Sequence, residues 1–346
     1  MNPVRSTTKK TVAGIMQTQP SAQPHLLELK NLKVRFPMRE NRFVHAVNGV
    51  NLTLEEGESL GVVGESGCGK SVTFSSVMRL IKSPPAIIEG EILVNGRDVL
   101  KMSRQEIQQI RGKDITMIFQ EPMTSLNPVM RIGKQITETL LLHEKINPKE
   151  AMTRARDLFK MVDMPDAENR LWCYPHQLSG GLRQRVMIAM ALACSPKILL
   201  ADEPTTALDV TIQAQILDLL ARLQEKTKMS IVMITHDLGI IAEITKRVAV
   251  FYAGRIVEQA PTAELFQRPA HPYSIGLLGC IPTIKTNTRR LYLIEGNIPD
   301  PASLPPGCPF HPRCRFTTDI CRGEAPEQRE FSPGHYVACH HAEQTV

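Results

Sequence analysis

Eight consecutive residues, Gly64-Glu65-Ser66-Gly67-Cys68-Gly69-Lys70-Ser71, have the G-x-x-x-x-G-K-[ST] spacing suited to binding phosphate. The glycines let the backbone fold back so that successive N–H groups face phosphate oxygens. Lys70 then reaches the β- and γ-phosphates, and the Ser71 hydroxyl ligates Mg²⁺. Glu65, Ser66 and Cys68 occupy the variable positions, and Cys68 is read as filler, not as a catalytic thiol. A second constellation ends the apolar run Ile198–Ala201, where Asp202 and Glu203 stand side by side. Two carboxylates at the carboxyl end of a buried strand are costly unless they serve a cation or a proton. Asp202 is therefore expected to hold Mg²⁺ and Glu203 to polarise an attacking water. Taken singly, the first motif could be a Gly-rich turn and the second a strand running into solvent; in one sheet they describe a nucleoside triphosphatase.

The elements that would position these groups are legible around them. The run Ser59–Val63 reads as a strand and Val72–Ile81 as a helix, so the Gly-rich loop sits at a strand-to-helix turn. Leu27, Leu29, Leu32 and Val34 begin a strand-like region that continues through Leu52–Leu54, Ser59–Val63 and Glu91–Val94, with turn signals at Glu56-Gly57 and Asn95-Gly96. This predicts a small antiparallel β layer that includes Ser59–Val63. Ile115–Phe119, Ile198–Ala201 and Ser230–Thr235 read as buried parallel strands alternating with helices, the pattern of an α/β sheet. Period-3.6 faces predict helices through Ala151, Ala155, Leu158, Phe159 and Val162 and through Ile212, Ile216, Leu219, Leu220 and Leu223. No strand signal falls between Ile132 and Tyr174, which predicts a helical insert.

Composition limits the rest. The chain has 346 residues, 42% hydrophobic, 22% charged and 5% aromatic, with a formal net charge of +6. That excludes a disordered or collagen-like chain and allows a large core with an attachment. No stretch approaches the run of about 18–20 apolar residues that a spanning helix needs, so the chain is not expected to form a pore itself. The small basic surplus lacks a run of five like charges and reads as a solvated surface. Residues 1–26 read as a flexible tail, and from about Thr286 the texture changes to Pro, Gly, Cys and His with little periodicity.

Leu178-Ser179-Gly180-Gly181-Leu182-Arg183 opens an expected helix Arg183–Ala193, giving a second glycine-backed helix N-terminus suited to phosphate. Two such caps for one nucleotide make sense if they come from different subunits. Here the sequence resembles the ATP-binding cassette (ABC) ATPases, with Leu182 standing where the family most often has Gln. Further elements follow in order: Gln120 after Ile115–Phe119, Ala207-Leu208-Asp209 after Asp202-Glu203-Pro204, and His236 after Ile231–Thr235. Glu121–Pro128, Tyr174–Leu178, Ala201–Val210 and His271-Pro272-Tyr273 resemble the ATPase subunits of oligopeptide, dipeptide and nickel importers, nearest to the D-type subunit of the dipeptide branch. The fold so implied is α/β: a P-loop cassette core at 27–285 with an antiparallel β layer and a helical subdomain at about 125–178. A small irregular Cys-rich extension at 286–346 would follow.

The resemblance implies a head-to-tail dimer with ATP between the Lys70 loop of one subunit and Ser179, Gly180 and Gly181 of the other. Lys70, Gln120, Glu203 and His236 would carry the chemistry, Ser71, Gln120 and Asp202 would hold Mg²⁺, and Asp209 would belong to the nucleotide site. Adenine would stack on Phe36 or on its competitor Phe43, either of which could instead be a core aromatic. Implied partners are a homologous ATPase in a heterodimer, two transmembrane permease subunits docked on the helical region, and an extracytoplasmic substrate-binding protein, with no nucleic acid. The expected location is peripheral, on the cytoplasmic face of the bacterial inner membrane. The same ATPase role for nickel or glutathione, or a soluble cassette without a transporter, remains open.

Cys308, Cys314, Cys321 and Cys339 follow a C-x5-C-x6-C-x17-C spacing. Paired C-x2-C is missing, so spacing alone leaves an iron–sulfur cluster, zinc and unligated thiols comparable. The family resemblance implies a [4Fe–4S] cluster on these four thiols, with His311, His335, His340 and His341 as possible substitute ligands.

Overall fold

In a computed structural model of the chain, residues 25–120, 125–206, 208–281 and 294–345 are described. The expected tail lies almost wholly outside them, as do Glu121–Thr124 of the importer-like motif, Ala207, and the junction near Thr286. Two sheets organise the rest. The first is antiparallel, in the order β2 (Phe43–Leu54), β1 (Leu27–Pro37), β4 (Ile87–Val94), β5 (Arg97–Asp98). The second has eight strands, in the order β11 (Arg329–Ser332), β12 (His335–Val337), β10 (Arg255–Pro261), β9 (Arg247–Tyr252), β3 (Ser59–Val63), β8 (Ser230–Ile234), β7 (Ile198–Asp202), β6 (Ile115–Ile118).

The strands β9, β3, β8, β7 and β6 run parallel, and alternate residues along them face two different cores. Leu60, Val62, Ile198, Leu200, Val232, Ile234, Ala249 and Phe251 pack against the antiparallel sheet. Leu199, Ala201, Ile231, Met233, Val248 and Val250 pack against the helices on the other face. Burial on both faces explains why these strands read as unbroken apolar runs.

It also explains one wrong expectation. β3 does not belong to the antiparallel layer; it pairs in parallel with β8 and β9 at the centre of the large sheet. A five-residue run buried on both faces carries no alternation by which to choose a sheet.

The region between β6 and β7 is helical as expected, with helices Ile132–His143, Pro148–Met161 and Ala167–Arg170. The helix after the Gly-rich loop is shorter than expected, Lys70–Val77, because Arg79 takes a left-handed φ of 48° just beyond it. Among the described residues no helix is long and apolar enough to cross a membrane.

The C-terminal segment departs most from expectation. It is not simply an irregular appendage: β12 pairs antiparallel with β10, and β11 pairs with β12, so the segment extends the main sheet. Cys308, Phe310 and Cys321 are buried in the main core. The join is polar at its centre. The Glu258 carboxylate, fully buried on β10, accepts the N–H groups of Ala270 (2.6 Å) and His271 (3.0 Å) and faces His335 Nε2 of β12 at 2.7 Å. Burial holds the neighbouring His271 at a pKa of about 4, so its neutral ring accepts the Tyr273 N–H at Nδ1. Glu258→Ala is expected to strand the His335 imidazole and two backbone donors without water, a loss of about 3–5 kcal/mol. Scanning calorimetry should record a melting temperature about 10 °C lower; an unchanged melting temperature would contradict this account of the join.

Candidate functional site

Parallel strands deliver their carboxyl ends to one edge of a sheet, where ligands of open α/β sheets bind. Gly64 follows β3, Gln120 lies just past β6, Asp202 ends β7 with Glu203 after it, and His236 follows β8. Register sets their depth. Asp202 pairs with Ile234, and the Glu203 N–H donates to the Ile234 carbonyl at 2.8 Å, carrying Glu203 one step beyond the last paired residue.

Glu203 is the hub of the site. Gln120 Nε2 donates to its Oε2 at 2.8 Å, Thr206 Oγ1 donates to the same oxygen at 2.9 Å, and His236 Nδ1 lies 3.0 Å from Oε1. An ionised carboxylate only accepts, so the geometry assigns the His236 proton to Nδ1. Burial raises the Glu203 pKa, but hydrogen bonds from His236 and Thr206 outweigh it and hold the carboxyl below its ordinary value. Its backbone is left-handed at φ 47°, unusual for a residue with a side chain.

Asp202 is more deeply buried and behaves in the opposite sense. Burial pushes its pKa up, while the Ser71 hydroxyl, donating to Oδ1 at 3.2 Å, pulls it back. A buried carboxylate beside a hydroxyl, at the edge of a phosphate loop, is a fitting pair of ligands for Mg²⁺, which takes one or two protein groups and completes its shell with phosphate and water. Lys70 is also buried. Its ammonium donates to the carbonyls of Gly64 (2.6 Å) and Glu65 (3.0 Å), which hold the charge inside the loop. Cys68 is buried within the loop, and burial raises its thiol pKa, in keeping with a filler and not a nucleophile.

Ser179 caps the helix Gly180–Ala191, its Oγ accepting the Leu182 N–H at 3.4 Å. Asp209 caps the helix Val210–Thr227 in the same way, accepting from Ile212 at 3.0 Å. The two caps are packed together: a Cβ on Gly181 would lie 2.7 Å from Ile212 Cγ2, so any larger residue there would have to displace the Ile212 side chain. Among the described residues no hydrogen bond or ion pair joins Ser179, Gly180 or Gly181 to the Lys70 loop. The structure thus gathers Lys70, Ser71, Gln120, Asp202, Glu203 and His236 at one sheet edge and leaves Ser179–Gly181 outside that set.

Comparison with known proteins matches residues 47–206 to the ABC transporter family and residues 257–321 to the C-terminal region of oligopeptide/dipeptide transporters. The oligopeptide transport ATP-binding protein OppD of Salmonella typhimurium is 48% identical over 91% of this chain and 93% of its own length. The dipeptide transport ATP-binding protein DppD of Bacillus subtilis is 48% identical over 91% of this chain and 94% of its own. The chain belongs to the ABC ATPases of the oligopeptide/dipeptide transporter family. A dimeric ATP-binding cassette in a post-hydrolysis state with ADP and Pi has a similar fold, with a TM-score of 0.61 and 30% identity, covering 68% of this chain and 98% of its own.

Within this cassette the iron–sulfur expectation is overturned. Among the described residues no group of three or more His, Cys, Asp or Glu side chains could hold a metal ion. Cys308, Cys314, Cys321 and Cys339 do approach one another, but around a cavity of only about 10 Å³, room for no more than a water. In this metal-free arrangement burial pushes Cys308 and Cys339 up to a pKa of about 11.

The two aromatics considered for adenine are both only partly buried. Phe36 rests on the core beneath the antiparallel sheet, and Phe43 carries the Arg35 guanidinium 5.3 Å above its ring. Sequence reasoning missed the roles of Thr206 and Tyr273, which both lay inside quoted motifs, and missed Arg313 altogether. Tyr273 and Arg313 meet Glu65 across more than two hundred residues, a distance no local pattern reports.

Proposed function

We propose that this ABC ATPase powers import of di- and oligopeptides, pairing with a homologous cassette and docking on two transmembrane permease subunits served by an extracytoplasmic binding protein. It would sit peripherally on the cytoplasmic face of the bacterial inner membrane, with residues 27–285 as the nucleotide-binding unit. The support for peptides as cargo is the named function of relatives 48% identical over nine-tenths of the chain.

The convergence of Gln120, Thr206 and His236 on Glu203 carries the catalytic part of the reading. The triphosphate exchanges with the Gly64 and Glu65 carbonyls for the Lys70 ammonium, a charge already placed in the loop. Ser71 and Asp202, with Gln120, would hold Mg²⁺, which when bound neutralises charge on the β- and γ-phosphates. Glu203 orients and deprotonates the attacking water, and His236, with 64% of its side chain exposed, turns from Glu203 toward the γ-phosphate. Phe36 stacks on adenine. Ser179, Gly180 and Gly181 contact the γ-phosphate bound by the partner, which accords with their having, among the described residues, no hydrogen bond or ion pair to the Lys70 loop of their own chain; Asp209 borders the same interface.

The test is co-expression with candidate membrane subunits and a second cassette, followed by reconstitution into liposomes. Peptide-loaded binding protein should stimulate ATP turnover in the complex. Stimulation by a nickel-loaded or glutathione-loaded binding protein instead would replace the cargo assignment, and failure to co-purify with any hydrophobic subunit would remove the transporter reading.

A further inference from the structure

Glu65, the second residue of the phosphate loop, is held from two directions by the C-terminal part of the chain. Arg313 grips its carboxylate in a two-pronged ion pair, one terminal nitrogen 2.8 Å from Oε2 and the other 3.1 Å from Oε1. The Glu65 backbone N–H donates to the Tyr273 hydroxyl at 2.9 Å. Arg313 is itself fixed. Its side chain is 4% exposed, its guanidinium lies 5.8 and 5.9 Å from the ring centres of Tyr252 and Phe310, and Nε donates to the Glu295 carbonyl at 3.0 Å. Such a planar fork matches a carboxylate in direction as well as charge, which an ammonium could not do.

The other end of Glu65 faces the chemistry, since its carbonyl is one of the two that hold the Lys70 ammonium. Arg313, Glu65 and Lys70 therefore form a continuous series of contacts from the C-terminal segment into the phosphate site. We propose that Arg313 is a positioning residue for nucleotide binding: acting through Glu65, it fixes the path of the phosphate loop so that Lys70 and the loop N–H groups are set before ATP arrives. A loop ordered in advance spares the ordering entropy that binding would otherwise have to supply. The C-terminal segment thereby becomes part of the nucleotide site's support. This inference rests on the reading that ATP binds at Gly64–Ser71.

Two measurements test it: binding of a fluorescent ATP analogue to the full chain, and ATP turnover in the assembled complex. Arg313→Ala is expected to weaken analogue binding and raise KM about tenfold, with kcat within about twofold. Arg313→Lys, keeping charge but losing the fork, should recover only part of the affinity. In a Glu65→Ala background, Arg313→Ala should add nothing further, because the two side chains act as one unit. Unchanged affinity in Arg313→Ala, or independent effects that multiply in the double variant, would overturn the proposal. Where Arg313→Ala fails to fold, Glu65→Gln takes its place, with a raised KM at an unaltered melting temperature as the supporting result and an unaltered KM as the contrary one. Lys70→Ala is the control. If it still binds the analogue, the nucleotide reading itself fails; if it loses binding while Arg313→Ala keeps it, only the positioning role fails.

Discussion

Glu203→Gln is expected to give a folded chain that binds ATP but turns it over about 10²–10⁴-fold more slowly. The substitution keeps size and shape, so loop, helix caps and sheet edge are undisturbed. What it removes is the ability to take a proton. In the proposed role of base, Glu203 is restrained in the ground state: the hydrogen bonds from His236 and Thr206 that hold it below its ordinary pKa also make it a weak base. Each donor that leaves Glu203 for the γ-phosphate raises its basicity at the moment a water must be deprotonated. An amide in the same place accepts fewer hydrogen bonds and, whatever the donors do, gains no basicity. Single-turnover hydrolysis with bound ATP measured in parallel separates the step from binding. A rate within tenfold of the parent would mean that another group carries the proton.

Gly69→Ala should abolish tight nucleotide binding by a different route. Gly69 has φ 103°, a backbone conformation that a residue with a Cβ rarely adopts, and the added carbon would lie 2.3 Å from the Ala46 carbonyl oxygen on β2. The strained φ alone costs about 1–3 kcal/mol. The close contact is with backbone, so neither partner can swing aside; either the loop or β2 must move. If the loop takes up about 2–3 kcal/mol of this, nucleotide affinity falls about 30–150-fold. Fluorescent-analogue titration reads that loss directly, and circular dichroism shows whether the sheet has moved instead. Affinity equal to the parent's would mean that the loop can relax away from β2 without losing its grip on phosphate.

Much of the site was legible because its signals are local. Gly64–Ser71, Asp202-Glu203 and Ser179–Gly181 each declare themselves within a few residues, and parallel strand order brings the first two together without further instruction. Gln120 and His236 are single residues whose meaning came from order along the chain. The misreadings have a common physical origin in partners that are distant in sequence. β3 was assigned to the wrong sheet because a doubly buried strand shows only that it is buried. β11 and β12 are short and partly polar, and they are strands because β10, some eighty residues earlier, offers them an edge and a buried carboxylate. The iron–sulfur expectation came from the family resemblance, since spacing alone left it level with zinc and unligated thiols, and spacing does not encode whether the side chains form a group able to hold a metal, which among the described residues they do not.

That join between β10 and β12 changes what a shortened version of this chain would be. Cassettes of similar fold span only about two-thirds of it, which invites trimming to a minimal ATPase near residue 286. Such a cut would uncover the hydrogen-bonding edge of β10, including the Val257 carbonyl that now accepts the Ala338 N–H at 2.8 Å, and would take away the imidazole facing Glu258. An exposed strand edge is a template for pairing with other chains. A chain cut near residue 286 is therefore expected to self-associate more readily than one that keeps β12 and Ala338 over that edge.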